Sequence, residues 1–157
     1  MHRTKIDIDT DTREKMIEML NARLADSIDL KTQSKQAHWN VKGMNFIALH
    51  ELFDQVAGEV EGYSDMIAER VTTLGGTAEG TARVVASKSS LNEYPLEITE
   101  GADHVDALSG ALAAFAKNSR TNVDEADEAG DAITADLMTE VARGTDKLLW
   151  FVEAHQQ

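Results

Sequence analysis

The sequence predicts an all-α fold, a four-helix bundle with one long crossover that carries a short extra helix. Three observations lead to that prediction. Apolar residues recur every three to four positions over long stretches, and glycines mark the breaks between them. The chain of 157 residues is long enough for one domain with a sizeable core. It has a single proline and only 5% aromatic residues, which argues against a sandwich of many short strands.

The elements follow in order. Asp11 with Glu14 three residues later resembles a capping box. Behind it Ile17, Leu20, Leu24 and Ile28 recur at helical spacing, so the first helix is expected from about residue 11 to Trp39. The segment around Gly43 breaks it. A second helix is expected from near Met44 to Leu74, where Gly75-Gly76 stops it. Residues 75–98 are mixed, with a serine cluster, Pro95 and a plausible short helix at about 81–87. A third long helix follows from about Glu100 to Ala129, with Val105, Leu108, Leu112 and Phe115 on one face, and Gly130 ends it. The fourth turns Ile133, Leu137, Val141, Leu148 and Val152 inward. The chain thus divides into a short N-terminal tail, residues 1–10, and a bundle domain, residues 11–157.

Charge and composition exclude several functions. Fifteen basic residues against 28 acidic ones give a formal charge of −13, a surface that repels nucleic-acid phosphates and anionic membranes and favours cations. Cysteine is absent, which rules out disulfides, thiolate metal sites and cysteine nucleophiles. No apolar run is long enough to span a membrane, and the start MHRTKIDIDTDTREK lacks an apolar signal core. These features point to a soluble, cytoplasmic protein.

The second helix carries the informative pattern. On a wheel of about 100° per residue centred on His50, the apolar residues from Leu49 to Leu74 fall at about −60° to −140°. His50, Asp54, Asp65 and Glu69 fall at about 0° to 100°, a second stripe away from the core. His50 and Asp54 are spaced to share an ion, and so are Asp65 and Glu69. Asp54 and Asp65, however, lie about 16 Å apart along the axis, so one ion cannot reach both pairs on one helix. Either there are two poor half-sites, or a second copy completes them. The numbering favours the second option, because the pairs 50/69 and 54/65 are both centred between residues 59 and 60. Two copies lying antiparallel across a two-fold axis there would set His50 against Glu69 and Asp54 against Asp65. Gly58 and Gly62 lie beside the stripe and would let the backbones approach; Glu61, also on it, has no account at this level. Acids on an outward face are ordinarily a solvated surface; the matched centring and the glycines argue against that for the set. Carboxylates with imidazole suit iron, manganese or zinc, and open positions suit Fe(II) redox chemistry better than a closed structural zinc. Neither Glu-x-x-His nor His-Glu-x-x-His occurs.

His38-Trp39-Asn40-Val41-x-Gly43, Phe46, Leu49-His50, Phe53-Asp54, Asp65-x-x-Ala68-Glu69-Arg70 and Leu74-Gly75-Gly76 resemble the Dps family, the mini-ferritins, and Asp146-Lys147-x-Leu149-Trp150-Phe151 is similar to that family as well. The resemblance spans nearly the whole chain and implies a ferritin-like bundle, twelve of which form a hollow shell of tetrahedral symmetry. It implies a two-iron ferroxidase centre at a two-fold interface, with His38, His50 and Asp54 from one chain, and Asp65 and a bridging Glu69 from its neighbour. The implied activity is oxidation of Fe(II), with hydrogen peroxide preferred or with oxygen, storage of the ferric mineral and protection against oxidative stress. Trp39 would pack near the centre or simply fill core. By position, Asp127, Asp131 and Asp136 would line an acidic iron-entry pore, although a solvated charge run needs no function. DNA binding and compaction, the alternative role, is expected to be weak or absent, since Arg3 and Lys5 are the only basic residues of the tail. His2, His104 and His155 read as surface positions.

Overall fold

The computed structural model describes residues 1–157 and contains five helices: α1 (Thr10–Asn40), α2 (Phe46–Thr73), α3 (Ala82–Lys88), α4 (Gly101–Glu128) and α5 (Ala132–Glu153). Each expected helix forms within a residue or two of its sequence boundaries, α3 being the short one in the crossover. The only β pairing is an isolated bridge between Lys42 and Glu100. None of the helices is long and apolar enough to cross a membrane.

The breaks follow from local chemistry. α1 is capped by Asp9 rather than Asp11: its carboxylate accepts from the Thr12 N–H at 2.9 Å and from the Thr12 hydroxyl at 2.8 Å. The residue at the third helical position, Thr12, decides between two acids two positions apart. α2 and α4 both end in a left-handed glycine. Gly75 has φ +94° and Gly130 φ +78°. In each case the glycine N–H and the next N–H turn back onto carbonyls of the last turn (Gly75 to Thr72 and Gly76 to Val71; Gly130 to Asp127 and Asp131 to Ala126).

α1 packs chiefly on α2 and α4 chiefly on α5, and the two hairpins meet along α1–α4 and α2–α5. Between them lie Met16, Leu20, Leu24, Phe53, Ile67, Leu108, Leu112, Phe115 and Met138, all buried. The apolar stripe read from α2 faces this core along its whole length, with Tyr63 half-buried at its edge. Tyr63 needs Gly144 on α5: a Cβ there would collide with its hydroxyl oxygen.

Two expectations fail on α5. Ile133 is 65% exposed, and Leu137 only partly buried; Thr134, Met138, Val141, Thr145, Leu148 and Val152 form the inner face. The cause is at the start of the helix. Asp131 is the cap, accepting from the Thr134 N–H at 3.0 Å, and its carboxylate also binds Arg70 of α2 at 2.8 and 3.0 Å. Turning Asp131 and Thr134 toward Arg70 turns Ile133 outward.

The crossover is held to α1 by polar groups. Asp26, fully buried, accepts from the N–H of Ser90 at 2.7 Å and its hydroxyl at 2.8 Å, and pairs with Arg23. Asn21 bonds Thr77 and Glu79, and Gln33 bonds the carbonyl of Asn92.

Candidate metal centre

The stripe begins where α1 hands over to α2. His38 is in the last turn of α1 and His50 in the second turn of α2, and their rings stack with centres 3.8 Å apart and planes 21° from parallel. Each ring binds the main chain of the other: His38 Nδ1 is 2.7 Å from the His50 carbonyl oxygen, and His50 Nδ1 is 2.8 Å from that of His38. A carbonyl oxygen only accepts, so both Nδ1 atoms carry a proton, and Nε2 is the nitrogen of each ring left to meet a metal. This is the tautomer a metal-binding imidazole needs, with its orientation fixed by an outer hydrogen bond. Phe46 packs beside His50 with ring centres 5.1 Å apart.

One turn further along α2, Asp54 is exposed and pairs with Lys35 of α1 at 2.5 Å. The hydrogen bond and positive charge of Lys35 hold the Asp54 carboxyl below its ordinary range. The same ammonium stands 5.7 Å from the centre of the Trp39 ring. A second lysine, Lys31, binds Glu61 at 2.5 Å, which accounts for that residue. Asp65 and Glu69 are exposed at the other end of the helix, and only the Glu69 carbonyl is engaged, by the hydroxyls of Thr72 and Thr73.

The structure therefore brings His38 and His50 together, with Asp54 one turn along α2 from His50, and keeps Asp65 and Glu69 apart from them on the same helix. One chain contains no cluster of three or more His, Asp or Glu arranged to hold a metal. Between the two half-sets, a Cβ on Gly58 or Gly62 would meet nothing within 4 Å. Around the histidine end, Trp39, Met44, Phe46 and Ile47 are exposed, Trp39 by 67%. Trp39 thus fills no core in the single chain. So much apolar surface beside a polar stripe marks a surface built for contact.

The acidic run divides. Asp127 and Asp136 are exposed, but Asp131 is 1% exposed, committed to the α5 cap and to Arg70, and does not face solvent within the chain. His2 and His155 are exposed. His104 is not: it is 1% exposed and bound to Tyr94. Sequence reasoning also missed Lys31 and Lys35, which sit at i, i+4 on the α1 face turned to the stripe; that spacing was the available signal.

Comparison with known proteins gives a consistent picture. A family model described as a ferritin-like domain matches residues 17–157. The chain is 46% identical over 156 residues to a DNA protection during starvation protein of Agrobacterium fabrum, covering 99% of this chain and 96% of that one. The structure of DpsC from Streptomyces coelicolor superposes with a TM-score of 0.94 at 33% identity, over 99% of this chain and 91% of that one. A Dps protein from Vibrio cholerae O1, described as a member of a broad superfamily of ferritin-like diiron-carboxylate proteins, superposes with a TM-score of 0.92 at 25% identity, over 100% and 98%.

Proposed function

Since this chain belongs to the Dps family of ferritin-like proteins, we propose that it stores iron and acts as a ferroxidase, taking Fe(II) as substrate at centres formed where two copies meet. In this reading His38, His50 and Asp54 of one copy bind the metal together with Asp65 and Glu69 of a second, and twelve copies close a hollow shell. The observation that carries it is the reciprocal histidine lock: two imidazoles tied at Nδ1 with Nε2 left open, beside an acid, at one end of a stripe whose far acids, Asp65 and Glu69, have no side-chain partner in their own chain. The open face at Gly58 and Gly62 and the exposed apolar rim at Trp39, Met44, Phe46 and Ile47 support a second copy as what covers it.

The residues divide the work. The imidazole Nε2 atoms and the carboxylate oxygens bind Fe(II). The carboxylates favour the harder Fe(III) and so help the oxidation forward. Lys35 balances the charge of Asp54 until a cation arrives, then has the Trp39 ring to lean on. Two Fe(II) held side by side deliver one electron each to one peroxide, whose O–O bond breaks to give two hydroxides and no radical. Asp127 and Asp136, at the α4–α5 corner, are the acids suited to drawing iron inward.

Complementation between variants tests the shared centre. His50→Ala/Asp54→Ala and Asp65→Ala/Glu69→Ala are expected to oxidise Fe(II) slowly as separate shells. Unfolded together and reassembled, they form mixed pairs with one intact centre, so about a quarter of the parent activity should return. No recovery in mixed shells of normal size rejects the seam, and a parent rate in either variant alone rejects the ligand set.

A further inference from the structure

One buried polar pair takes no part in the centre. Tyr94 lies in the crossover and His104 in the first turn of α4; they are 7% and 1% exposed. The Tyr94 hydroxyl oxygen is 2.7 Å from His104 Nδ1, and the two rings stack with centres 6.1 Å apart and planes 21° from parallel. His104 also packs against Phe53, centres 6.5 Å apart, and Phe53 is the α2 neighbour of Asp54. Tyr94 lines a crevice of about 400 Å³ that is open to solvent, with Gln33, Pro95, Ile98 and Asp103.

A buried tyrosine hydroxyl needs a hydrogen-bond partner. Here it is an imidazole: with the Tyr94 hydroxyl donating to Nδ1, the ring's own proton sits on Nε2, which is buried without a well-formed hydrogen bond, the Ile98 main chain being close enough to act on the ring. A buried polar atom so poorly satisfied calls for a reason beyond packing. The proton chemistry supplies one. Burial pushes the Tyr94 phenol far above its ordinary range, so it does not ionise unaided. Burial also pushes His104 down, which favours the neutral ring, while the nearby charge of Asp103 and the main chain of Ile98 act in the opposite direction and favour an imidazolium once one forms.

We propose that Tyr94 and His104 form a one-electron sink, in which Tyr94 is oxidised by a strong one-electron oxidant and its hydroxyl proton passes to His104 Nδ1. The oxidant class is the hydroxyl radical, made whenever a single Fe(II) reduces peroxide. That identification rests on the iron-oxidising reading above; the redox property of the pair does not. The radical takes one electron and becomes hydroxide. The Tyr94 O–H bond breaks, an Nδ1–H bond forms, and a neutral phenoxyl radical remains beside an imidazolium. A further Fe(II) returns the electron, becoming Fe(III), and the proton goes back to the phenoxyl oxygen. Each cycle removes one radical and leaves the protein unchanged.

The test uses assembled, iron-free protein and a photochemical oxidant, flash-generated tris(bipyridyl)ruthenium(III) with persulfate, with radicals frozen and read by electron paramagnetic resonance. The parent should give a tyrosyl signal, Tyr63→Phe should keep it and Tyr94→Phe should lose it. His104→Phe, which keeps the ring but removes the base, should lower the yield about tenfold at neutral pH. A measurement on the parent alone guards against misfolded variants: in heavy water the radical should show coupling to one exchangeable deuteron, the one held by His104. A tyrosyl yield unchanged in Tyr94→Phe, an unchanged yield in His104→Phe, or a parent radical without that coupling overturns the proposal. Because no iron is present, these outcomes stand whether or not the iron-oxidising reading survives.

Discussion

α1 and α2 each carry a polar stripe, and the two are treated in opposite ways. On α1, Asn21, Arg23, Asp26, Ser27, Gln33 and Ser34 are all buried. Asn21, Asp26 and Gln33 bond the crossover laid across them, and Asn118 of α4 also reaches Asp26. On α2, His50, Asp54, Asp65 and Glu69 stand at the surface; Asp54 and Glu61 are met only by lysines, and the carboxylates of Asp65 and Glu69 are met by nothing in their own chain. A carboxylate does not by itself separate the stripes, since Asp26 lies in one as Asp54 lies in the other. What separates them is whether the fold supplies partners. A stripe whose side chains find partners within the chain holds the structure together. One left unanswered is kept for something that arrives later.

That contrast can be broken by experiment, starting where the effect is largest. His50→Ala/Asp54→Ala should slow Fe(II) oxidation by about 100-fold in stopped-flow absorbance, yet leave the thermal midpoint within about 2 °C of the parent. If the midpoint collapses instead, the α2 stripe is structural after all. Asp26→Ala should behave in the opposite way. It strands Arg23 in a buried site and removes the anchor of Ser90, so denaturant melts should show a loss of about 3–5 kcal/mol, with iron oxidation per folded shell unchanged. Asp131 extends the same logic to the corner between α4 and α5. Burial pushes its carboxyl up, but bonds from Thr134 and the Arg70 guanidinium outweigh burial and hold it below the ordinary value of 3.8. A carboxyl lowered on folding adds stability above its unfolded value, and that stability is lost as pH falls through the folded value. The parent should therefore lose stability steeply below pH 3.8. Asp131→Asn should start about 1–3 kcal/mol lower at neutral pH and show a flatter acid limb. The smallest effect belongs to Lys35. Lys35→Met should bind Fe(II) or Co(II) about two- to fivefold more tightly by titration under anaerobic conditions, because an exposed ion pair no longer competes. Weaker binding would show that the lysine helps to build the centre.

How much could be read from the sequence follows the same division. The bundle was legible because its signals are local: apolar spacing on α2 and α4, and glycines at Gly75 and Gly130 that only a left-handed turn requires. The two half-sets on α2 were legible because a single helix fixes the spacing of its own residues. Contacts that depend on another segment were not. Ile133 faces outward because Asp131 reaches Arg70, more than sixty residues away. His104 is buried because Tyr94 lies over it, in a crossover without periodicity. The polar face of α1 could not be told from a solvated one until the crossover was seen to cover it. Lys35 was overlooked because only its register against Asp54 gives it meaning.

The histidine lock has a further consequence. Both imidazoles are tied to main-chain oxygens, which every sequence possesses, so side chains around them can drift without turning their aim. The vulnerable spot is the bend between α1 and α2, where Gly43 adopts φ +103°. Descendants of this protein could therefore recolour the surrounding surface freely, while a side chain at that one bend would strain its left-handed backbone and loosen the corner that holds the two rings together.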